Sequence, residues 1–440
     1  MVLRGILGLV ALALNGLVFA SDYREEIKSI YTAQLGPLFD HFHRHPELSM
    51  MEQQTSARLA NEIEALGYTV HRGIGGTGIV AIMENGSGPM VMMRADMDGL
   101  PVPEKSGLPY ASVARQIDWQ GREVPVMHAC GHDVHITSLV GSARMMAAHK
   151  DAWQGTLMLI GQPAEEAIGG ARAMREDRIW ERFGQPDFAL AFHVAAQMPT
   201  GKLAADPVSP YSGADTVDIV IKGVGAHGAS PHRGIDPVVL GSQIVLALQT
   251  VVSRTLPPRR PGVITVGSFH SGTKHNIISD EAKLQLTVRS ESRSDRRLLL
   301  DGIRRVAENM GRVAGLPEDM LPTVIVNEAD GVPPTLNDRA LTIRMRDVWA
   351  DAFGEDVFFE EERLGMGAED FPFFTTDPDI PSVYFAVGGT PQADFDREAA
   401  GGEPVPSHHS PLFKVAPQES ITLGVEATVL ALMTLLQSNE

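Results

Sequence analysis

The sequence predicts an α/β protein: an α/β/α domain interrupted by a smaller α+β unit of order βαββαβ. Three observations lead there. The apolar runs Gly78-Ile-Val-Ala-Ile-Met83, Met90-Val-Met-Met93, Thr156-Leu-Met-Leu-Ile160 and Phe188-Ala-Leu-Ala-Phe192 have the length of strands buried on both faces. Stretches of helical period lie before and between them. Between about residues 205 and 328 the pattern becomes strand, helix, strand, strand, helix, strand, which closes a two-layer unit with helices on one face of an antiparallel sheet.

Taken in order, the chain begins with one positive charge, Arg4, an apolar stretch from Ile6 to Phe19, and Val18-Phe-Ala20 as a small-residue cleavage site. This is the layout of a secretory signal peptide over residues 1–20, so export to the periplasm or beyond is expected. The run is shorter than the roughly 20 residues a membrane span needs, and no later stretch is expected to cross a bilayer. An exported chain with a single cysteine has no internal disulfide, so Cys130 is either free or bound to something.

Ile27, Ile30, Tyr31, Leu35, Leu38, Phe39 and Phe42 predict a helix from Arg24 to Phe42, and Thr55 to Leu66 repeats the pattern before Gly67 stops it. Two strands follow around the turn Asn85-Gly-Ser-Gly88, the second running into Arg94-Ala-Asp-Met-Asp98. A polar loop or hairpin from Gly107 to Glu123 leads to His128-Ala-Cys-Gly-His-Asp133, which opens a helix through about Ala148. In the inserted unit, strands are expected at Thr216–Lys222, Gly262–Phe269, Ala282–Val288 and Thr323–Asn327, with helices at Pro237–Ser253 and Asp295–Val313. The first domain is therefore expected in two parts, 21–204 and 329–440. The second part carries Gly367-Ala-Glu-Asp-Phe371, Ser407-His-His-Ser-Pro411 and a closing helix from Val415 to Leu436.

The formal net charge of −18, from 55 acids against 37 lysines and arginines, argues against a nucleic-acid surface and for a soluble, self-repelling chain. The chemistry gathers at strand ends, where an open α/β sheet builds its sites. Cys130 and His132 are two apart and can converge on one ion. Glu165 and Glu166 follow Pro163 at a strand end, and His193 closes another strand. A lone Cys or His is more often structural than a ligand, but thiolate, imidazole and carboxylate in one ordered set suit zinc or a similar first-row ion. Such donors do not choose among zinc, manganese and cobalt. A zinc nucleobase deaminase is excluded, because it needs paired cysteines. Of two adjacent glutamates, one can bind metal while the other takes a proton from the attacking water and hands it to a leaving nitrogen.

The order Arg94-Ala-Asp-Met-Asp-Gly-Leu100, Met127-His-Ala-Cys-Gly-His-Asp133, Gln162-Pro-Ala-Glu-Glu166, Phe192-His-Val194, Gly225-Ala-His-Gly228, Asn276, Gly367-Ala-Glu-Asp370 and His409-Ser-Pro411 resembles the dinuclear amidohydrolase and metallopeptidase family. That family includes hippurate hydrolases, aminoacylases, plant hormone-conjugate hydrolases and carboxypeptidase G. The resemblance spans nearly the whole mature chain and is strongest to the hippurate-type branch. It implies a zinc-peptidase-like catalytic domain with a ferredoxin-like dimerisation insert, and a homodimer. It implies two divalent ions held by Cys130, His132, Glu166, His193 and His409, with Glu165 as general base and Asp98 orienting the site. His227 is implied as an oxyanion-stabilising residue acting across the dimer, and Asn276 and Arg289 as holders of the substrate's free carboxylate.

The chain departs from the wider family at Asp96, where other branches carry a histidine ligand, and at Ser279, where relatives usually have proline. His408 beside His409 leaves the last ligand to be told by the Ser-Pro that follows. Arg289 lies at the end of a predicted strand, thirteen positions after Asn276, so the two are expected side by side. The bland alternative for Arg289 is a surface ion pair with Glu291 or Asp280, worth at most about 1 kcal/mol.

The implied activity is hydrolysis of N-acyl amino acids to a carboxylate and an amino acid, with no nucleic-acid partner and no membrane contact after signal removal. A carboxypeptidase or dipeptidase is the alternative within enzymes, and a silent binding protein the alternative outside them. An intact Glu165 argues against silence.

Overall fold

The computed structural model describes residues 23–360 and 365–437, and the expected signal peptide lies outside the described residues. Two compact units form: Tyr211–Leu336 with Arg363–Pro372, and the remainder of the chain. The expected insert was 205–328; the stretch 365–372, with Gly367-Ala-Glu-Asp370, groups with this smaller unit, where the Ser212 N–H donates to Gly367 O at 2.8 Å.

In chain order the larger unit contributes β1 (Thr69–Ile74), β2 (Gly78–Asn85), β3 (Met90–Asp96), β4 (Arg115–Ile117), β5 (Glu123–Pro125), β6 (Gly155–Gln162), β7 (Phe188–Pro199) and β8 (Leu203–Ala204). The smaller unit follows with β9 (Gly213–Lys222), β10 (Ala226–His227), β11 (Gly262–Ser271), β12 (Ile277–Ile278), β13 (Glu281–Ser290) and β14 (Thr323–Val332), and β15 (Ser382–Thr390) belongs again to the larger unit.

The larger unit's sheet has the order β1-β2-β6-β3-β7-β15-β8. β3 is parallel to both β6 and β7, and β7 to β15, whereas β1, β2 and β8 are joined antiparallel. β3 and β6 are buried along nearly their whole length because helices cover both faces, which explains their unbroken apolar runs. From β3 the chain crosses to β6 on one side and then returns to β7 on the other. Ligands bind where the strand order reverses in this way, at the carboxyl ends of the strands.

The helix His132–Ala148 lies in the middle of this core, buried on almost every face. Gly131 opens it in the left-handed region at φ +84, and a Cβ there would stand 2.3 Å from the Val194 side chain. Glycine is required at that point by both backbone and space. The closing helix Pro417–Leu435 packs against it, with Val425 over Gly141. The expected N-terminal helix continues to Arg44 through a π-turn at Tyr31–Leu35.

The smaller unit's four-stranded sheet has the antiparallel order β11-β13-β9-β14, the order of the expected ferredoxin-like arrangement. β9 alternates buried and half-buried residues along its length, so one face carries Val217, Ile219 and Ile221 into the core. The helices Pro237–Thr250 and Arg293–Val313 cover that face. One sequence expectation is corrected here. With its π-turn, Pro237–Thr255 is by length and composition a helix apolar enough to cross a membrane, although no later stretch was expected to be. Its apolarity is two-sided: Leu240, Ile244 and Leu248 pack inward, while Val238, Val239 and Leu246 are exposed.

Candidate metal centre

The segments that end β3, follow β6, run through β7 and open the helix His132–Ala148 bring their polar side chains together in the larger unit. Donor atoms of Cys130, His132 and His193 lie within 4.8 Å of one another, as do those of Cys130, Glu166 and His409, and those of His132, Glu165 and Glu166. All five expected ligands and the expected base therefore share one cluster. His193 does not close its strand as expected: β7 continues to Pro199 and presents the imidazole from mid-strand.

Hydrogen bonds to carbonyl oxygens set the histidine tautomers. His132 Nδ1 donates to Asp98 O at 2.8 Å, and His193 Nδ1 donates to Val194 O at 2.7 Å. Each ring thus turns the lone pair of Nε2 to the cluster, the arrangement expected of metal-binding imidazoles. His193 Nε2 stands 3.4 Å from Cys130 Sγ, and His409 Nε2 stands 3.3 Å from Glu166 Oε1. His408 is the other kind of residue. It is half-buried with Nε2 accepting from the Ala196 N–H at 3.0 Å, and desolvation followed by His193 holds its pKa well below the usual range. His409 is left as the ligand candidate of the pair.

These groups fit a cation. Buried His132 Nε2 has no hydrogen-bond partner among the described residues, and Glu166 Oε1 faces the His409 imidazole at 3.3 Å. Burial lowers the pKa of His132, yet Asp96, Asp98 and Glu166 outweigh it and lift the ring to about 10. The pocket therefore attracts positive charge. Burial, and then Glu166, Glu165 and Asp96, push the Cys130 thiol well above its ordinary range, and a divalent cation supplies the opposing charge that favours thiolate.

Asp98 is the organiser. Its Oδ1 accepts the Glu165 N–H and its Oδ2 the Glu166 N–H, both at 3.1 Å, while the Ser49 hydroxyl donates to Oδ2 at 2.6 Å. Asp96 does different work. It accepts from Arg94 Nη1 at 2.6 Å and from His135 Nδ1 at 2.5 Å, and His135 Nε2 accepts the Val194 N–H at 2.9 Å. Both nitrogens of His135 are thereby committed, and its ring lies 4.5 Å from that of His193. The aspartate that stands where other branches carry a histidine ligand thus anchors the backbone next to His193. Sequence reasoning missed Ser49 and His135. His135 had a readable signal, because it lies three residues after His132 on one helical face; Ser49 had none.

The remaining expected site residues lie in the smaller unit. His227 (β10) pairs with Ile277 (β12), and the Gly228 N–H donates to Asn276 O at 2.8 Å, so His227 and Asn276 line one pocket of about 670 Å³. His227 Nδ1 accepts the Ala229 N–H at 3.0 Å, which leaves the proton on Nε2. Asn276 Oδ1 is buried without a partner among the described residues. Arg289 is not beside them, contrary to the expectation from spacing. β13 starts at Glu281, next to the pocket residue Asp280, and carries Arg289 eight residues along, roughly 27 Å away at the rise of a strand. The ion pair with Glu291 or Asp280 is not formed either; among the described residues its guanidinium has no salt-bridge partner, and Asp215, whose charge acts on it, is taken by Arg296 at 2.6 Å.

Comparison with known proteins agrees with this chemistry. The model of peptidase family M20/M25/M40 matches residues 92–401. The chain is 32% identical over 375 residues to IAA-amino acid hydrolase ILR1-like 2 of Arabidopsis thaliana, covering 85% of this chain and 79% of that one. It is 33% identical over 336 residues to hippurate hydrolase of Campylobacter jejuni, covering 76% and 82%. It is 34% identical over 356 residues to thermostable carboxypeptidase 2 of Saccharolobus solfataricus, covering 79% and 83%. The solved structure of Bacillus subtilis YxeP, described as a dinuclear metal binding peptidase, matches with a TM-score of 0.75 at 25% identity, covering 94% of this chain and 99% of that one. The chain belongs to peptidase family M20/M25/M40, hydrolases that act on amide and peptide bonds.

Proposed function

We propose that this protein hydrolyses the amide bond of N-acyl amino acids, hippurate-like conjugates, to a carboxylate and a free amino acid. The observation that carries the reading is the buried cluster in which Glu165 stands beside five metal-type donors on a turn held by Asp98. Cys130, His132, Glu166, His193 and His409 would hold two divalent ions, zinc, manganese or cobalt. When bound, the ions polarise the amide carbonyl and lower the pKa of the attacking water.

Glu165 takes the proton of that water and delivers it to the leaving nitrogen, so the amine departs neutral. Asp98 keeps Glu165 and Glu166 in register by accepting both backbone N–H groups. The Nε2 proton of His227 is a donor for the developing oxyanion, and Asn276, in the same pocket, receives the substrate's free carboxylate. The protein acts as an exported homodimer, with His227 serving the partner's site. The exposed strip Val238, Val239 and Leu246 supports a contact between copies.

Metal-stripped protein reloaded with zinc, manganese or cobalt is tested on N-acyl amino acids, their amides and dipeptides. The reading expects fastest turnover of an N-acyl amino acid with a free carboxylate, and Glu165→Gln inactive with its metal retained. Faster cleavage of peptides would favour the carboxypeptidase or dipeptidase reading, which the similarity to thermostable carboxypeptidase 2 keeps in view. Inactive Glu165→Gln and His227→Ala proteins, mixed and allowed to exchange subunits, recover part of the activity if His227 works across the dimer. No recovery from demonstrably mixed dimers removes that role.

A further inference from the structure

We propose that Glu52 is a positioning residue for this hydrolysis: its buried carboxylate clamps the turn that presents Glu165. The inference rests on the role given to Glu165 above. Glu52 precedes the helix Gln53–Glu64 in the N-cap position, where Ser, Thr, Asp or Asn ordinarily accepts from its own helix, and it makes no such cap. It is fully buried, and it is spent elsewhere. Oε1 accepts the Ala164 N–H at 2.8 Å and the Met50 N–H at 2.9 Å, and Oε2 accepts the Thr77 hydroxyl at 2.5 Å.

The two backbone donors on Oε1 belong to the same unusual class. Met50 (φ +62) and Ala164 (φ +49) are both non-glycine residues in the left-handed region. Such a conformation persists only where its surroundings hold it. At Ala164 the holding is mutual, because three successive N–H groups are taken by two carboxylates: Ala164 by Glu52, and Glu165 and Glu166 by Asp98. Ser49, three residues before Glu52, bonds Asp98 itself, so one short segment reaches both carboxylate anchors of the turn. Asp98 alone fixes the last two N–H groups; without Glu52, the N–H of the left-handed residue just before Glu165 has no anchor, and only its carbonyl stays tied, to the Gly169 and Gly170 N–H groups.

Glu52→Ala and Glu52→Gln are compared with the parent as full-length, metal-loaded proteins, on the N-acyl amino acid the parent hydrolyses fastest. Glutamine keeps an oxygen for the two N–H groups, so it should restore what alanine loses. The alanine variant should lose roughly a hundredfold in kcat, the scale of a 1 Å misplacement, with KM and metal content unchanged. Amide hydrogen exchange over residues 162–168 should accelerate in Glu52→Ala and stay slow in Glu52→Gln. A folded Glu52→Ala with parental kcat, a kcat loss matched by lost metal, or glutamine as slow as alanine would overturn the proposal. If Glu52→Ala does not fold, Thr77→Val, which unties Oε2 alone, must lower kcat at constant KM; an unchanged kcat overturns it. If the parent hydrolyses no substrate offered, the functional reading fails, and the exchange comparison still decides whether Glu52 holds the turn.

Discussion

The larger unit buries Arg94, Asp96, Asp98, His132 and His135 within its core, whereas the smaller unit packs Val217, Ile219, Ile221, Leu284, Leu286 and Val288 from one sheet face against two helices. In the smaller unit the alternation of buried and half-buried residues along β9 and β13 is what a two-layer fold needs and little else. In the larger unit the polar residues break an otherwise apolar core around the carboxyl ends of β3 and β6 and the start of the helix His132–Ala148. Burying charge costs stability unless it is paired, so its concentration there marks where structure has been subordinated to chemistry.

Glu165 gives the largest expected contrast between the units. Glu165→Gln should reduce turnover by about 10²–10⁴-fold, the range of general acid–base catalysis, without loss of metal or of thermal stability. An apolar substitution in the smaller unit's core, such as Leu286→Ala, should do the opposite and cost about 2–5 kcal/mol of stability. Single-turnover hydrolysis alongside calorimetric unfolding reads both. Near-normal hydrolysis by Glu165→Gln would erase the contrast.

Ion pairs sharpen it next. Arg94 and Asp96 are completely buried, and removing one partner strands a charge. Arg94→Met should therefore cost about 3–5 kcal/mol. In the smaller unit Arg296 is a third exposed in its pair with buried Asp215, so solvent screens it and Arg296→Met should cost clearly less. Equal losses in denaturant unfolding would show that burial does not distinguish the two pairs.

The pH dependence follows from His43 in the larger unit. Burial opposes its charge, but Asp133 at 2.7 Å and Glu104 at 3.2 Å prevail and raise its pKa to about 10. A raised folded pKa contributes stability that is complete below the unfolded value, near 6.5, and is lost as pH rises through about 10. The contribution is on the order of 1.5–3 kcal/mol, that of hydrogen bonds to a charged group. Stability of the parent should fall between pH 6.5 and 10, and His43→Gln should flatten that fall. An equally steep decline in the variant would place the titrating group elsewhere.

The two units also differ in how much of them the sequence reveals. Periodicity read the four main strands and both helices of the smaller unit within a few residues, because alternation is a local property. It could not see β10 and β12, two residues each, which bring His227 beside Asn276. It also misjudged Arg289, because thirteen positions of chain say nothing about β13 running on from β12 and carrying the guanidinium away from the pocket. In the larger unit the ligand motifs were legible as residue types at strand ends. What holds them was not: Ser49, Glu52 and His135 act through contacts 39 to 112 residues distant in sequence, which no local pattern encodes.

The smallest expected effect on stability tests the outer face of the smaller unit. Leu240 and Leu246 lie on one helix, six residues apart, and are 1% and 72% exposed. Leu240→Ala should cost about 2–5 kcal/mol, since it opens a cavity against the sheet. Leu246→Glu touches no core and should change monomer stability by no more than about 0.5 kcal/mol. Its consequence should be seen in assembly. The exposed apolar strip formed by Val238, Val239 and Leu246 is the proposed contact between copies, and a carboxylate placed within it would be desolvated and unpaired there. Sedimentation should therefore show the parent as a dimer and Leu246→Glu displaced towards monomer, with metal content intact. If His227 serves the partner's site, activity should fall in step with the dimer fraction and return at high protein concentration. A Leu246→Glu protein that remains fully dimeric would remove this helix face from the interface, and one that is monomeric and fully active would return His227 to its own subunit or exclude it from catalysis.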